Sequence, residues 1–187
     1  MQTTRTQTLR MIGNIVAFQL GWFACVVAAA QGQEAVGICA ALIIVAAHVA
    51  ISTHPVTQLR VIVTAVAIGA VWDSLLRAMG LMIYRSPGPP ALAPAWILAM
   101  WALFGTTLNL SLRWLQGRTL LAVVFGAVGG PLAFWAGQRL GAVQIRGPWA
   151  GLLAQATGWG LILPLLLHLA RRFDRRNLSS RGESTDV

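Results

Sequence analysis

The chain is short of charge. Of its 187 residues only 10% are Asp, Glu, Lys or Arg, and 57% are hydrophobic; a soluble domain carries roughly a quarter charged residues. That deficit, with a mean hydropathy of +0.69, excludes an ordinary soluble domain and points to a polytopic membrane protein. Lysine is missing, since all fourteen basic residues are Arg. With heavy use of Ala, Gly and Leu, this is the composition of a GC-rich bacterial genome. Acidic residues number five, leaving a net charge of +9. In a soluble chain that surplus would suggest nucleic acid. Here the arginines lie at the ends of apolar runs, where they fix topology, and no nucleic-acid partner is expected.

Cysteine is equally scarce. Cys25 and Cys39 both fall inside apolar runs, with no second pair to complete a zinc site. They read as small packing residues, although an oxidising periplasm would permit a disulfide between the first two helices. There is no Gly-rich phosphate loop, no Ser with a matching His and Asp, and no histidine array of the membrane di-iron kind. His48, His54 and His168 lie toward one face together with Asp174, but their spacings match no zinc motif, so neither a metal nor a cofactor is expected. A membrane enzyme would have to rely on Asp73, Arg77, Asn109 or these histidines.

What the chain has is length in its apolar runs. A helix crossing a bilayer needs about 20 apolar residues, and the pattern predicts an all-α protein with six transmembrane helices near residues 11–30, 35–52, 61–84, 94–115, 119–140 and 148–170. Residues 1–170 then form a single six-helix domain, and residues 171–187 a basic, disordered tail. The basic head and Ala28-Ala29-Ala30 also resemble a cleaved signal peptide. Against that, Asn14, Gln19 and Trp22 interrupt the apolar stretch, and Asn14, Ala17, Gly21, Ala24 and Ala28 form a small-residue stripe suited to helix packing. Arg85-Ser86-Pro87-Gly88-Pro89-Pro90 is the clearest loop, because proline removes backbone donors. Gly129-Gly130-Pro131 predicts a break or kink in the fifth helix. Arg5, Arg10, Arg60, Arg113, Arg118 and the arginines of the tail fall on one side of this arrangement, and Arg85, Arg139 and Arg146 on the other. The positive-inside rule therefore places both termini in the cytoplasm, with the chain in a bacterial inner membrane.

Within the third run, Val71-Trp72-Asp73-Ser74-Leu75-Leu76-Arg77 sets a carboxylate and a guanidinium four residues apart, on one helix face. Charges at membrane depth are costly and normally face a protein interior or a cavity. Ala95, Ala99, Ala102, Thr106, Asn109 and Arg113 form a second small-to-polar stripe. The spacing predicts a polar cavity near the bilayer midplane, with Arg77 holding an anionic head group, Asp73 orienting Arg77 or titrating, and Asn109, Gln19 and Thr106 adding polar groups. The bland alternative is an Asp73–Arg77 ion pair that pins helix register, with Asn109 and Gln19 as interhelical hydrogen bonds. Trp96, Trp114 and Trp149 sit near helix ends as interfacial anchors, while Trp72 and Trp101 lie deeper.

The blocks Phe18-Gln19-Leu20-Gly21-Trp22-Phe23-Ala24-Cys25, Trp72-Asp73-Ser74-Leu75-Leu76, Thr107-Leu108-Asn109 with Ser111-Leu112-Arg113-Trp114-Leu115, and Gly129-Gly130-Pro131-Leu132 resemble an uncharacterised bacterial integral-membrane family, over residues 11–170. Members of that family are often encoded beside cyclopropane-fatty-acid-synthase-like and flavin amine-oxidase-like proteins. The resemblance implies a lipid connection and carries no mechanism. Leu110 stands where the family often has His, which weakens metal or acid–base chemistry there. The expected function is binding or moving a lipid or small amphiphile, with the bilayer, and an anionic lipid or amphiphile, as partners. A membrane enzyme of lipid modification and a non-catalytic subunit for cytoplasmic lipid enzymes are the alternatives.

Overall fold

The structure is a computed structural model and describes residues 2–84, 86, 89 and 91–182. In chain order it contains α1 (Gln2–Ala30), α2 (Glu34–Ala50), α3 (Pro55–Ala78), β1 (Met82–Tyr84), α4 (Ala95–Gly105), a 3-10 turn (Arg113–Leu115), α5 (Thr119–Arg139), β2 (Val143–Ile145) and α6 (Pro148–Gly182). Among the described residues four helical stretches are long and apolar enough to cross a membrane: Arg5–Ala30, Pro55–Ala78, Thr119–Arg139 and Trp149–Arg175. Two helices are shorter. At a rise of ~1.5 Å per residue, the 17 residues of α2 span about 25 Å; by the same rise, the 11 of α4 span about 16 Å. Large apolar side chains such as Ile43, Val63, Val71, Leu120 and Leu161 stand exposed on the helices, as expected of a surface solvated by lipid tails.

Several boundaries differ from the sequence expectation, each for a local reason. Helix α3 begins at Pro55 because proline at a first-turn position gives up an N–H that would be unpaired anyway. Its other end falls at Ala78, short of the expected Tyr84. Gly80 takes φ +69, and its N–H donates to Arg77 O while that of Leu81 donates to Leu76 O. This Schellman closure turns the chain out of the helix. Gly141 closes α5 in the same way, with φ +87 and Ala142 N–H on Gly137 O. The two released segments then pair as an antiparallel ribbon, Met82 opposite Ile145 and Tyr84 opposite Val143, where the sequence reading placed the end of a helix and a loop. Helix α5 runs unbroken through Gly129-Gly130-Pro131. Helix α6 continues to Gly182, through most of the tail expected to be disordered; residues 183–187 lie outside the described residues, as do Arg85, Pro87, Gly88 and Pro90 of the proline-rich loop.

The fourth helix departs most. The expected continuous helix over residues 94–115 stops at Gly105 and gives way to turns before the 3-10 turn at Arg113–Leu115. Thr106 and Thr107 turn their hydroxyls back onto Leu103 O and Phe104 O, both at 2.7 Å, competing with the helical ladder. Irregular backbone is tolerated at membrane depth where protein covers it, and Thr106, Thr107, Leu108, Asn109 and Ser111 are all buried.

Short α4 is the centre of the molecule, packed on α1, α2 and α3, while α3 also meets α6 and α5 packs on α6. Glycines make these approaches possible. A Cβ on Gly69 would lie 2.1 Å from the Trp101 ring, one on Gly158 2.1 Å from Trp72, and one on Gly130 2.4 Å from Trp159. Three indoles are thus seated on three glycines. Cys25 and Cys39 are free thiols; Cys25 is buried and donates to Gly37 O at 3.3 Å.

Candidate functional site

Asp73 is the only acidic residue between Glu34 and Asp174 in the sequence, and it is fully buried. Gly69, one helical turn earlier, leaves room for the Trp101 ring to lie across α3, and Trp101 Nε1–H donates to Asp73 Oδ2 at 2.6 Å. The ribbon returns Tyr84, the chain's one tyrosine, over the same spot, where its hydroxyl donates to Oδ1 at 3.1 Å. Two neutral donors from two other elements therefore hold the carboxylate.

Arg77 does not. The alternative reading, an Asp73–Arg77 ion pair, is not what the side chains form: the Tyr84 hydroxyl takes the carboxylate while its ring faces the guanidinium, 5.9 Å from Cζ to centroid. Arg77 Nη1 donates instead to Leu92 O at 2.7 Å, at an exposed position. Sharing a helix face was necessary for a pair and did not suffice.

Beside Asp73 lies a cavity of about 680 Å³. Helix α1, packed on α2 and α4, forms one wall through Ile15, Phe18, Gln19, Trp22, Phe23 and Val26. Helix α5, packed on α6, forms the facing wall from Phe125 through Gly126, Gly129 and Gly130 to Gly137. Trp96, Trp101, Phe104 and Trp159 line the back, and Asp73 is the one charged residue of the lining. Trp101 and Trp159 stack at 4.7 Å and 9°, and Phe104 meets both edge-on at 5.9 and 5.1 Å. Ser86 joins the ribbon end to the helices, accepting from Trp96 Nε1 at 3.0 Å and donating to Glu34. From Ile15 to Val26, or from Phe125 to Gly137, the groove runs roughly 16 to 18 Å at ~1.5 Å per residue, about half a hydrocarbon core of ~30 Å.

The other expected site residues disperse. Gln19 lines the groove with Asp73, whereas Arg77, Thr106 and Asn109 do not. Thr106 belongs to a buried knot in which Asn14 Nδ2 donates to its hydroxyl at 3.3 Å and Ser111 donates to Asn14 Oδ1. Asn109 sits elsewhere, accepting from Gln116 Nε2 at 2.9 Å and donating to Asp174 Oδ1 at 3.4 Å. His48 contacts Gln58 at 3.4 Å, and His168 lines a separate small pocket with Arg171. Among the described residues no three of His, Cys, Asp and Glu converge as metal ligands would.

Sequence reasoning missed Tyr84 and Trp159, and it placed Trp101 only as deep. No signal within one segment marked the aromatic wall, because each indole is seated on a glycine of a different helix. Among the described residues, three buried side chains lack a hydrogen-bond partner: Trp72 at Nε1, Trp159 at Nε1 and Gln155 at both amide atoms. Trp72 lies on α3 next to Asp73, and Gln155 and Trp159 lie on α6, which packs on α3.

Four helices among the described residues long and apolar enough to cross a membrane, with large apolar side chains exposed on them, define a multi-pass α-helical membrane protein. Within that class, the chain belongs to the family described as Protein of unknown function (DUF2878), matched over residues 11–165. No curated protein and no solved structure matches it.

Proposed function

We propose that this protein binds or moves a lipid or small amphiphile, taking a hydrocarbon chain into the groove between α1 and α5. The observation that carries this reading is the cavity of about 680 Å³, walled by aromatic and aliphatic side chains with a single carboxylate in its lining. Ligand pockets of this kind are predominantly apolar, with few placed polar groups. Its length of roughly 16 to 18 Å suits one acyl chain of one leaflet, since a leaflet supplies half of a ~30 Å core. Gln19, exposed on α1, is the polar residue of the lining that would meet the ligand, while Asp73, fully buried, would hold the Trp101 indole in the wall. Thr106, Asn109 and Arg77 support the surrounding backbone through their bonds to Asn14, Asp174 and Leu92.

The same reading sets the chain in a bacterial inner membrane, with six spans and both termini cytoplasmic. Its support is the arginine asymmetry: Arg60, Arg113, Arg118 and Arg171 gather at the end opposite the ribbon, which keeps Arg139 and Arg146. At about 25 Å, α2 is long enough for a span with local thinning.

The test is to purify the protein and identify the lipids that remain bound, beside a Gly129→Phe variant. Gly129 lines the groove, and a Cβ there meets no atom within 4 Å, so a side chain can be started from this wall and the phenyl ring is chosen to narrow the groove. A retained chain-bearing lipid in the parent, lost in the variant at unchanged thermal stability, is the expected result. Identical lipid complements in the two proteins would overturn the proposal.

A further inference from the structure

One exposed amide in the groove wall specifies what the occupant carries. Resting on the groove-binding reading above, we infer that the chain held between α1 and α5 bears a neutral oxygen group, a hydroxyl or a ketone, part-way along its length, and that the Gln19 amide takes it.

Gln19 stands at mid-membrane depth. Within the apolar stretch Arg5–Ala30 it lies about 21 Å from one end and about 17 Å from the other, at ~1.5 Å per residue. Lipid head groups stay at the bilayer surface, half a hydrocarbon core or about 15 Å away, so what passes Gln19 is a chain. The side chain is exposed on α1 and lines the groove. Among the described residues its amide has no hydrogen-bond partner. An amide left unpaired against hydrocarbon is costly, and an apolar side chain in its place would carry no such penalty. Polar residues kept at this depth mark a ligand path or a polar contact.

The rest of the lining narrows the chemistry. Asp73 is buried with both oxygens bonded, and Thr107 and Ser111 are buried with their hydroxyls given to Phe104 O and Asn14. Gln19 Oε1 is therefore the accessible side-chain acceptor of this wall, beside the two N–H donors of the same amide. Trp22, one turn onward on the same face of α1, adds a partly exposed indole whose N–H has no partner among the described residues. A hydroxyl, donor and acceptor at once, pairs with both sides of the amide, and a ketone oxygen accepts from the N–H groups. A cation or anion would find no free counter-charge here, since the lining has no Arg or His and the one carboxylate is enclosed.

Volume separates a chain from a partner's helix. An α-helix of ~10–12 Å diameter over roughly 16 to 18 Å displaces roughly 1,300 to 2,000 Å³. The groove offers about 680 Å³, room for one chain.

Displacement of a quencher tests the inference. The full-length protein in maltoside micelles is loaded with a dibrominated stearate, whose bromines quench the groove tryptophans. It is then titrated with stearate, with stearates bearing a hydroxyl or a ketone at mid-chain, or with one hydroxylated beside the carboxylate. The expected result is displacement by the two mid-chain compounds at about tenfold lower concentration than by the other two, the ratio that one net hydrogen bond supports. Gln19→Leu should still bind the brominated chain and should bring that ratio to one or below. Comparing ratios between the two proteins removes differences in micelle partitioning, and Gln19→Met stands in if the leucine variant does not fold. Equal displacement by all four on the unmodified protein, the outcome if Gln19 serves a partner's helix, overturns the inference and leaves chain binding standing. So does a ratio that survives Gln19→Leu. Quenching that is unaffected by Gly129→Phe instead overturns the groove reading, and this inference with it.

Discussion

At the scale of single residues, the molecule turns on how one carboxylate is kept in an apolar interior without a cationic partner. Asp73 is solvated by an indole and a phenol, each contributed by a different element, and a hydrogen bond to a charged group is worth roughly 1.5–3 kcal/mol. A double-mutant cycle on Asp73→Asn and Trp101→Phe, read from unfolding in detergent, should therefore show coupling of about 1.5–3 kcal/mol. The corresponding cycle on Asp73→Asn and Arg77→Gln should show coupling below about 0.5 kcal/mol, because the two side chains do not meet. Strong coupling in the second cycle would restore the ion pair. The glycine seats give a sharper contrast. Gly69→Ala forces a methyl into the Trp101 ring and should cost about 1–3 kcal/mol by overpacking. Gly129→Ala meets nothing and should be neutral or stabilising by up to ~1 kcal/mol, through its higher helix propensity. Equal thermal shifts for the two would contradict the packing described.

At the scale of elements, the long helices were legible in the sequence because hydropathy and length are local properties. Helices α1, α5 and α6 stand where the apolar runs stand. The ribbon was not legible. Residues 82–84 look like the last turn of α3 until Gly80 takes a positive φ, and their partners lie some 60 residues onward, at Val143–Ile145. The break in α4 was hidden for another reason. Ala99, Ala102, Thr106 and Asn109 keep helical spacing through it, while the competing bonds come from threonine hydroxyls and from Asn14 on α1. Asn14→Leu should thus act on α4 from a distance. It strands Thr106 and Ser111 and should destabilise by about 1–3 kcal/mol, with faster amide hydrogen exchange over residues 106–112. Unchanged exchange there would show that the break does not depend on Asn14.

At the scale of the whole molecule, Asp73 and Gln19 could be picked out as polar residues in apolar runs, but the groove could not. It exists because α1 packs on α2 and α4 while α5 packs on α6, leaving two helices facing each other across an aromatic floor. No periodicity within one segment encodes that gap. Arg77, Thr106 and Asn109 were equally visible as polar residues and went to three other places. The proposed topology makes a separate prediction: reporter fusions after Gln58 and Gly117 should be cytoplasmic, and fusions after Gln33 and Val143 extracytoplasmic, since the two sets fall at opposite ends of the helices.

The central claim is that the groove holds a selected hydrocarbon chain, and photo-crosslinking in native membranes addresses it most directly. A diazirine amino acid placed at Met100, partly buried in the groove lining, is compared with one at Leu161, exposed on α6 and outside that lining. Adducts at Leu161 should mirror the bulk membrane. Adducts at Met100 should be dominated by one lipid class and should disappear when Gly129→Phe narrows the groove. Adducts at Met100 that match the bulk lipid mixture and persist in Gly129→Phe would contradict the account.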